Sequence, residues 1–452
     1  MKVKLSKNSP SNIAVGSARS CYNSTLITPE GVSQWNKKKD LLDDLFKSGH
    51  HTTMQHSTFT FEIEGISRLL IWRLFHSHGN YNSDQSSQRY AKIKPSEENY
   101  IYPKSVNKEQ AKNLYEDLYK AYEKLSKELT IIFEKDSNPM VRKSASKKAM
   151  ELARYVLPQS TKAHLYHSIN LITALRYIKA AEIIPEAKNE AKELAKILEE
   201  EILKIEPEYK SLIEETKKQK AEFPNIDLNK FPLIKDSKNS IIFDINHGYG
   251  EPNNINYANG LNLNALFYPT ETISGFTVRM KLSLSADAQN QRHRTSKGIR
   301  EPLLISLEKT NSKPLEEKVF IPEIINKYKE LKEIYLEAIS KSFKFIENIK
   351  DIADKEDISY FLPNAFLIEV VERNDLSNFT HKAKLRTCIN AQEEIRNITE
   401  EIIEELQLNG VEESFYLVPP CVFRQRANIK PYCSEGSRYC GIKIWKKEKY
   451  NS

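Results

Sequence analysis

One short punctuation occurs twice in this chain and constrains everything else. Leu157-Pro158 and Leu362-Pro363 lie about 205 residues apart, each with long helical patterns before it and further apolar-periodic segments after it. A repeat of that length is far too long for a solenoid unit and indicates duplication of a whole domain. The 452-residue length accommodates two such domains plus connectors. The reading divides the chain into an N-terminal domain at 1–205, a charged, Pro-containing connector at 206–240, a C-terminal domain at 241–410 and a Cys-containing tail at 411–452.

Local patterns assign elements within each half. Leu41, Leu42, Leu45 and Phe46 form one face of a helix over 36–48, which stops at the turn Gly49–Thr53. Residues 57–66 alternate apolar and polar and read as a strand. SRLLIWRLF reads as a helix running into a polar turn, HSHGNYNSDQSSQRY. Long helices are expected at 108–135 and 143–156, another from about Thr161 with Leu165, Ile169, Ile172 and Leu175 on one face, and a last at 187–204. In the second half an apolar stretch (ALFYPTETISGFTVRMKLSLSA) leads to a basic tripeptide. Helices at 322–349 follow, and Leu362-Pro363 then precedes two more that end near 405. The mixture of a small sheet and long packed helices in each half defines an α+β fold.

Charge and cysteine use exclude several classes. Lys and Arg number 68 against 61 acidic residues, a net +7, too diffuse to indicate nucleic acid but compatible with anionic small molecules. Five cysteines, an odd number, fit a reducing cytoplasm rather than a disulfide framework. MKVKLSKNSPSN lacks the apolar core of a signal peptide, and no apolar run approaches the length of a membrane span.

Three clusters can carry chemistry. In Ser86-Ser87-Gln88-Arg89-Tyr90 a hydroxyl two residues before an Arg can hold a phosphate, the Arg supplying charge and the hydroxyl orientation; a polar surface loop has the same composition. In Gln289-Asn290-Gln291-Arg292-His293-Arg294 three consecutive basic side chains repel unless an anion or water spreads the charge; a solvated turn remains open. In Leu385-Arg386-Thr387-Cys388-Ile389-Asn390-Ala391-Gln392, Arg386 precedes an amphipathic helix carrying Ile395, Ile398 and Ile402 and can face a cleft, or pair with a surface acid.

Taken together and in order, these pieces resemble the flavin-dependent thymidylate synthases. GHHTTMQHSTFTFEIEGISR at 49–68, QSSQRY at 85–90, ELARYVLP at 151–158 with Asn170 downstream, QRHR at 291–294 and LRTCINAQEEIR at 385–396 are similar to successive family motifs. The departures are complementary. In the first half the family's Arg-His-Arg reads His76-Ser77-His78, the Gln before it is Arg73, and Ala181 or Glu182 stands where the late Arg belongs. In the second half Arg-His-Arg is intact and Arg386 is present, but Ser-x-Arg-Tyr is replaced by KGIREPLL and the Arg before Leu-Pro is Ser359. Each half retains what the other lacks, as a site built between two copies allows.

The resemblance implies two tandem diverged domains of that family and a composite site. Gln85, Ser87, Arg89, Arg154 and Gln289 would bind deoxyuridylate (dUMP). Arg386 would be catalytic, holding the uracil and stabilising negative charge that develops on it. His50, Arg292, His293 and Arg294 would hold FAD. Methylenetetrahydrofolate and NADPH would be co-substrates. The family is homotetrameric, so a homodimer with two functional sites is expected. The alternatives are an inactive flavin- or nucleotide-binding homologue and a relative that installs a different one-carbon group.

The tail invites two other readings. Pro419-Pro420-Cys421 is similar to the nucleophile motif of the flavin-independent thymidylate synthases, but the His that usually follows is absent. Cys421, Cys433 and Cys440 lack the paired spacing of a zinc knuckle, so no metal is assigned from sequence.

Overall fold

The computed structural model describes residues 1–76, 80–93, 96–235, 237–247 and 274–447. Among these residues the strands form two four-stranded antiparallel sheets. Strands β1 (Lys2–Asn8), β2 (Thr58–Ser67), β3 (Tyr81–Gln85) and β4 (Lys162–Asn170) are ordered β1-β2-β4-β3. Strands β5 (Ser240–Asn246), β6 (Gly275–Ser283), β7 (Lys297–Arg300) and β8 (Leu367–Asp375) are ordered β5-β6-β8-β7. The two orders are identical position by position, which makes the duplication a topological fact.

The expected strand at 57–66 is β2. Phe59, Phe61 and Ile63 bury one face; Gly65, at φ 77°, absorbs a bulge before Ile66 re-enters the core. Helices form at Lys38–Lys47, Lys108–Glu134, Ala145–Ala153, Lys188–Ile205 and Lys329–Ile349, close to their expected limits.

Three expectations are corrected. The segment from Thr161 is not a helix: Lys162–Asn170 is strand β4, with Ala163, Leu165, His167 and Ile169 buried at every second position. The helix begins only at Leu171, where the Asn170 side chain accepts from the Thr173 N–H at 2.9 Å. The apparent helical spacing arose from joining the inward face of a strand to that of the following helix. The polar stretch before Arg89 contains edge strand β3, whose inward positions, Tyr81 and Ser83, give no apolar alternation to read. After Leu362-Pro363 strand β8 comes first, before the helices Leu376–Arg386 and Glu393–Leu408. The apolar stretch read at 265–286 lies partly outside the described residues; its described part forms β6 and the start of helix Leu284–Asn290.

One apolar core runs through both halves. The long helices Lys108–Glu134 and Lys329–Ile349 pack against each other, and Tyr115 stacks on Phe361 across the junction. The two Leu-Pro steps meet at a pseudo-twofold axis. The Gln159 N–H donates to the Leu362 carbonyl (2.9 Å), the Asn364 N–H to the Leu157 carbonyl (2.8 Å), and the Gln159 and Asn364 side chains bond to each other (2.8 Å).

The same axis relates two buried hydrogen-bond sets. Ser67 ends β2, caps the following helix, and donates from its N–H and hydroxyl to Glu190, which also accepts from Tyr360 of the other half. Ser283 ends β6, caps its helix, and binds Glu394, which accepts from Tyr155 of the first half. No described helix is long and apolar enough to cross a membrane.

Candidate functional site

The helix after β6, the turn that follows it, the end of helix Leu376–Arg386 and the loop after β3 converge at the junction of the halves. From the first half, Arg89 sits in the turn after β3. Its Nε pairs with Glu151, and an Nη donates to the Asn390 carbonyl of the second half at 2.9 Å. Ser87 opens that turn, its hydroxyl accepting from the Arg89 N–H at 3.2 Å. From the second half, Arg386 donates from Nε to His293 Nε2 at 3.0 Å and from Nη2 to the Gln289 carbonyl at 2.9 Å.

Arg386 lies within reach of cations from both halves. Burial, then the cations Arg89 and Arg292, lower its pKa to about 10. His293 is driven well below the ordinary imidazole value, first by burial and then by Arg386, Lys382, His381 and Arg292. A neutral imidazole is what the hydrogen bond requires, because Nε2 must be unprotonated to accept from Arg386. His293 is therefore the positioning group for Arg386.

A second line of contacts runs inward. Arg154, buried, donates to Gln392 Oε1 at 2.5 Å; Gln289 donates to the same oxygen, and Gln392 in turn donates to the Tyr155 hydroxyl. Gln85 lines a small cavity with Arg68, Arg154, His76 and Gln88. Arg68 is half-buried, its Nη2 donating to the Ser86 carbonyl at 2.8 Å, and burial with the Arg154 charge lowers its pKa to about 9. Arg154 Nε, Arg68 Nε, Gln85 Oε1 and Gln289 Oε1 are buried without a hydrogen-bond partner. Two guanidiniums, each with an unfilled Nε donor, line this small cavity, whose chemistry fits an anion.

The remaining basic residues grip the neighbouring edge strand. Arg292 donates to the Ser83 carbonyl (2.6 Å) and reaches Asp84 (3.3 Å), whose side chain is 94% exposed. Arg294 donates to the Tyr81 carbonyl and to Asn82 (2.6 Å), with its guanidinium 4.5 Å from the Tyr81 ring centre. Carbonyls and one solvated carboxylate leave most of this positive charge uncompensated, as a site for phosphates would. The structure thus gathers Gln85, Ser87, Arg89, Arg154, Gln289, Arg292, His293, Arg294 and Arg386 around one junction. His50 stands apart: it is exposed in the turn before β2, and none of the hydrogen bonds among the described residues joins it to this group.

The symmetry-related position differs in kind. Arg73, in the place of Gln289, pairs with buried Glu186 and donates to the Glu301 carbonyl at 3.0 Å. Glu186 also accepts from the Leu303 N–H at 2.6 Å. Connector residues cover it: Phe223 lies against Arg73, and the Leu228 N–H donates to Glu301. An internal ion pair occupies the ground that Gln289 holds on the other side. Ser77 and His78 lie outside the described residues.

Tyr155, Gln392, Glu394 and Arg68 were not singled out from the sequence. Only Tyr155 left a signal there, since Tyr155 and Tyr360 recur at the same distance before the two Leu-Pro steps.

The fold and site define a duplicated α+β protein with one cationic cleft assembled from both halves. Residues 4–208 and 268–408 match the family Thy1, thymidylate synthase complementing protein, and with most of its length matched the chain belongs to that family. It is 30% identical over 221 residues to the flavin-dependent thymidylate synthase of Clostridium tetani, covering 46% of this chain and 84% of the relative. The Pyrococcus furiosus enzyme of the same name is 31% identical over 156 residues, 34% of this chain and 57% of that one. Among solved structures, thymidylate synthase X of Helicobacter pylori with FAD and dUMP aligns over 48% of this chain and all of that one (TM-score 0.35, 23% identity).

Proposed function

We propose that the chain is an FAD-dependent thymidylate synthase, converting dUMP to thymidylate with methylenetetrahydrofolate as carbon donor and NADPH as reductant. Its active site would be composed from both halves. The observation that supports this reading is that Arg89 of the first half and Arg386 of the second line one cavity.

In this reading Ser87, Arg89 and Arg154 bind the nucleotide phosphate and sugar, and Gln85 and Gln289 orient the base. Arg386 lies against the uracil and stabilises the negative charge that develops there, in a site already arranged for it. His293, held neutral, keeps the Arg386 guanidinium turned toward the base. Arg292 and Arg294, with His293 between them, hold the flavin and its phosphates, and His50 stands at the family's early flavin-contacting position. Bound FAD, reduced by NADPH, supplies the redox equivalents of the methylation. The pair of Arg73 and Glu186 leaves one functional site per chain, so a homodimer carries two. The domains at 1–205 and 241–410, the connector at 206–240 and the tail at 411–452 are the units of this arrangement.

The test is direct: purified protein supplied with FAD, dUMP, methylenetetrahydrofolate and NADPH forms thymidylate, detected chromatographically. A protein that binds FAD and dUMP but yields another 5-substituted uridylate, or none, overturns the assignment.

A further inference from the structure

The tail carries a chemistry that the reaction does not use. Four of the five cysteines, Cys388, Cys421, Cys433 and Cys440, line one cavity of about 200 Å³. They come from separate stretches. Cys388 follows Arg386 in the second half, Cys421 lies in the first turn of helix Pro420–Arg426, and Cys433 and Cys440 flank the turn Gly436–Arg438. All four are free thiols; the fifth, Cys21, is exposed elsewhere.

The tail joins the main core through Val411 and Leu417, and beyond them its packing is thin. Its own apolar core is small: buried Val418, Val422, Phe423 and Ile444, with a few half-buried neighbours. A segment this short rarely holds itself in place by apolar burial alone, and a structural metal is a common remedy. Its contacts to the body include Asn390 donating to the Arg438 carbonyl (2.8 Å), Asn138 donating to the Cys440 carbonyl (3.0 Å) and Lys384 Nζ 5.0 Å from the Phe423 ring centre.

We infer that Cys388, Cys421, Cys433 and Cys440 form a structural zinc site that fastens the C-terminal tail beside the Arg89–Arg386 cleft. Four thiols are the donor set of a closed tetrahedral zinc centre, with zinc–sulfur bonds of about 2.3 Å. Among the described residues no three such side chains stand at metal-binding separation, so the inference requires side-chain rotation to bring the four sulfurs, which line one cavity, onto a single ion. On binding, four thiols release four protons to solvent, and the resulting centre carries a net charge of about −2. Arg89, Lys384 and Arg386 line the same cavity and offset that charge. The sequence spacing hides the site, because one ligand precedes the tail and no two form a close pair.

The experiment uses the full chain, purified in reducing buffer without added metal. Elemental analysis is expected to find one zinc per chain, retained through dialysis and released when a mercurial reagent blocks the thiols. Cobalt exchanged into the same protein should show the intense ligand-field absorption of a tetrahedral thiolate centre. Cys421→Ser and Cys433→Ser should each lower zinc retention at least tenfold, while Cys21→Ser leaves it unchanged. Iron with acid-labile sulfide, tail disulfides, or four freely alkylated thiols without zinc would each overturn the inference. The cobalt spectrum is read on the unaltered protein, so it decides the matter even where a Ser variant does not fold. Metal content is independent of turnover, so neither result depends on the proposed reaction.

Discussion

The hydroxyl of Tyr155, in the first half, donates to Glu394, in the second, at 2.6 Å, and both are buried. The pseudo-twofold partner of this contact is Tyr360 to Glu190 at 2.7 Å. Each tyrosine thereby satisfies a carboxylate that also binds the serine capping the helix that opens the functional region of the opposite half.

Tyr155→Phe leaves the Glu394 carboxylate short of a donor in a buried place. It should lower stability by roughly 1–3 kcal/mol, as should Tyr360→Phe. Because Gln392 also donates to Tyr155, Tyr155→Phe should raise KM for the nucleotide while Tyr360→Phe should not. Urea unfolding and steady-state kinetics on both variants check the asymmetry; equal kinetic effects would sink it.

Arg89→Ala and Arg386→Ala should each lower kcat/KM by a hundredfold or more, about the effect of removing one preorganised charge-stabilising group, with unfolding midpoints near that of the parent. Since both residues face the same cleft within one chain, co-expressing the two inactive variants should not restore activity. Recovery of thymidylate formation in mixed dimers would place the site between chains instead.

Glu186 neutralises Arg73 with both side chains nearly inaccessible. Glu186→Ala should destabilise the protein by roughly 3–5 kcal/mol, the cost of leaving a buried charge unpaired. At temperatures where the variant is folded, kcat should be unchanged if the proposed assignment holds, since that assignment places the reaction at the Arg89–Arg386 cleft and not beside this pair. A binding titration should still find one FAD per chain.

Two buried groups give opposite pH dependences. Burial pushes the Glu394 carboxyl up to about 7 from an ordinary 4.5, so its folded form holds a proton that the unfolded chain releases. The associated stability is complete below about 4.5 and is lost as pH rises through 7. His167 is shifted the other way, down to about 3 from 6.5, first by burial and then by His76 and Arg294. Its associated stability is complete above 6.5 and is lost as pH falls toward 3. Urea midpoints across pH 4 to 9 should therefore show Glu394→Gln flattening the neutral limb and His167→Phe flattening the acid limb. A variant curve parallel to the parent's would reject that group's assignment.

The legible part of the fold was the part with local cause. The Leu-Pro repeat, the alternation in β2 and the apolar faces of the long helices are properties of neighbouring residues, and each appears where the pattern put it. Strands β3, β4 and β8 were not legible. Edge strand β3 owes its existence to pairing with β4 rather than to its own apolar content, and the inward face of β4 merged with that of the next helix into a false helical spacing. The site shows the same division. Arg292, His293 and Arg294 stood out as a run of basic residues with no local reason to exist, Arg89 as part of Ser-x-Arg and Arg386 by its place before a helix, whereas Arg154 was picked out by the family resemblance. Gln392 and Glu394 looked like ordinary first-turn helix residues until Arg154 and Tyr155 of the other half met them.

By itself, then, the sequence pointed to two copies of one α+β unit through its Leu-Pro repeat and local periodicity, and its resemblance to the family's motifs implied that each copy retains a different subset of basic residues. Only the tertiary structure decided which subsets face one another, that the symmetry-related ground is filled by Arg73 and Glu186, and that four distant thiols share one cavity. The physical reason is that Coulomb and hydrogen-bond energies depend on separation in space, and no local pattern records the separation of residues that lie hundreds of positions apart.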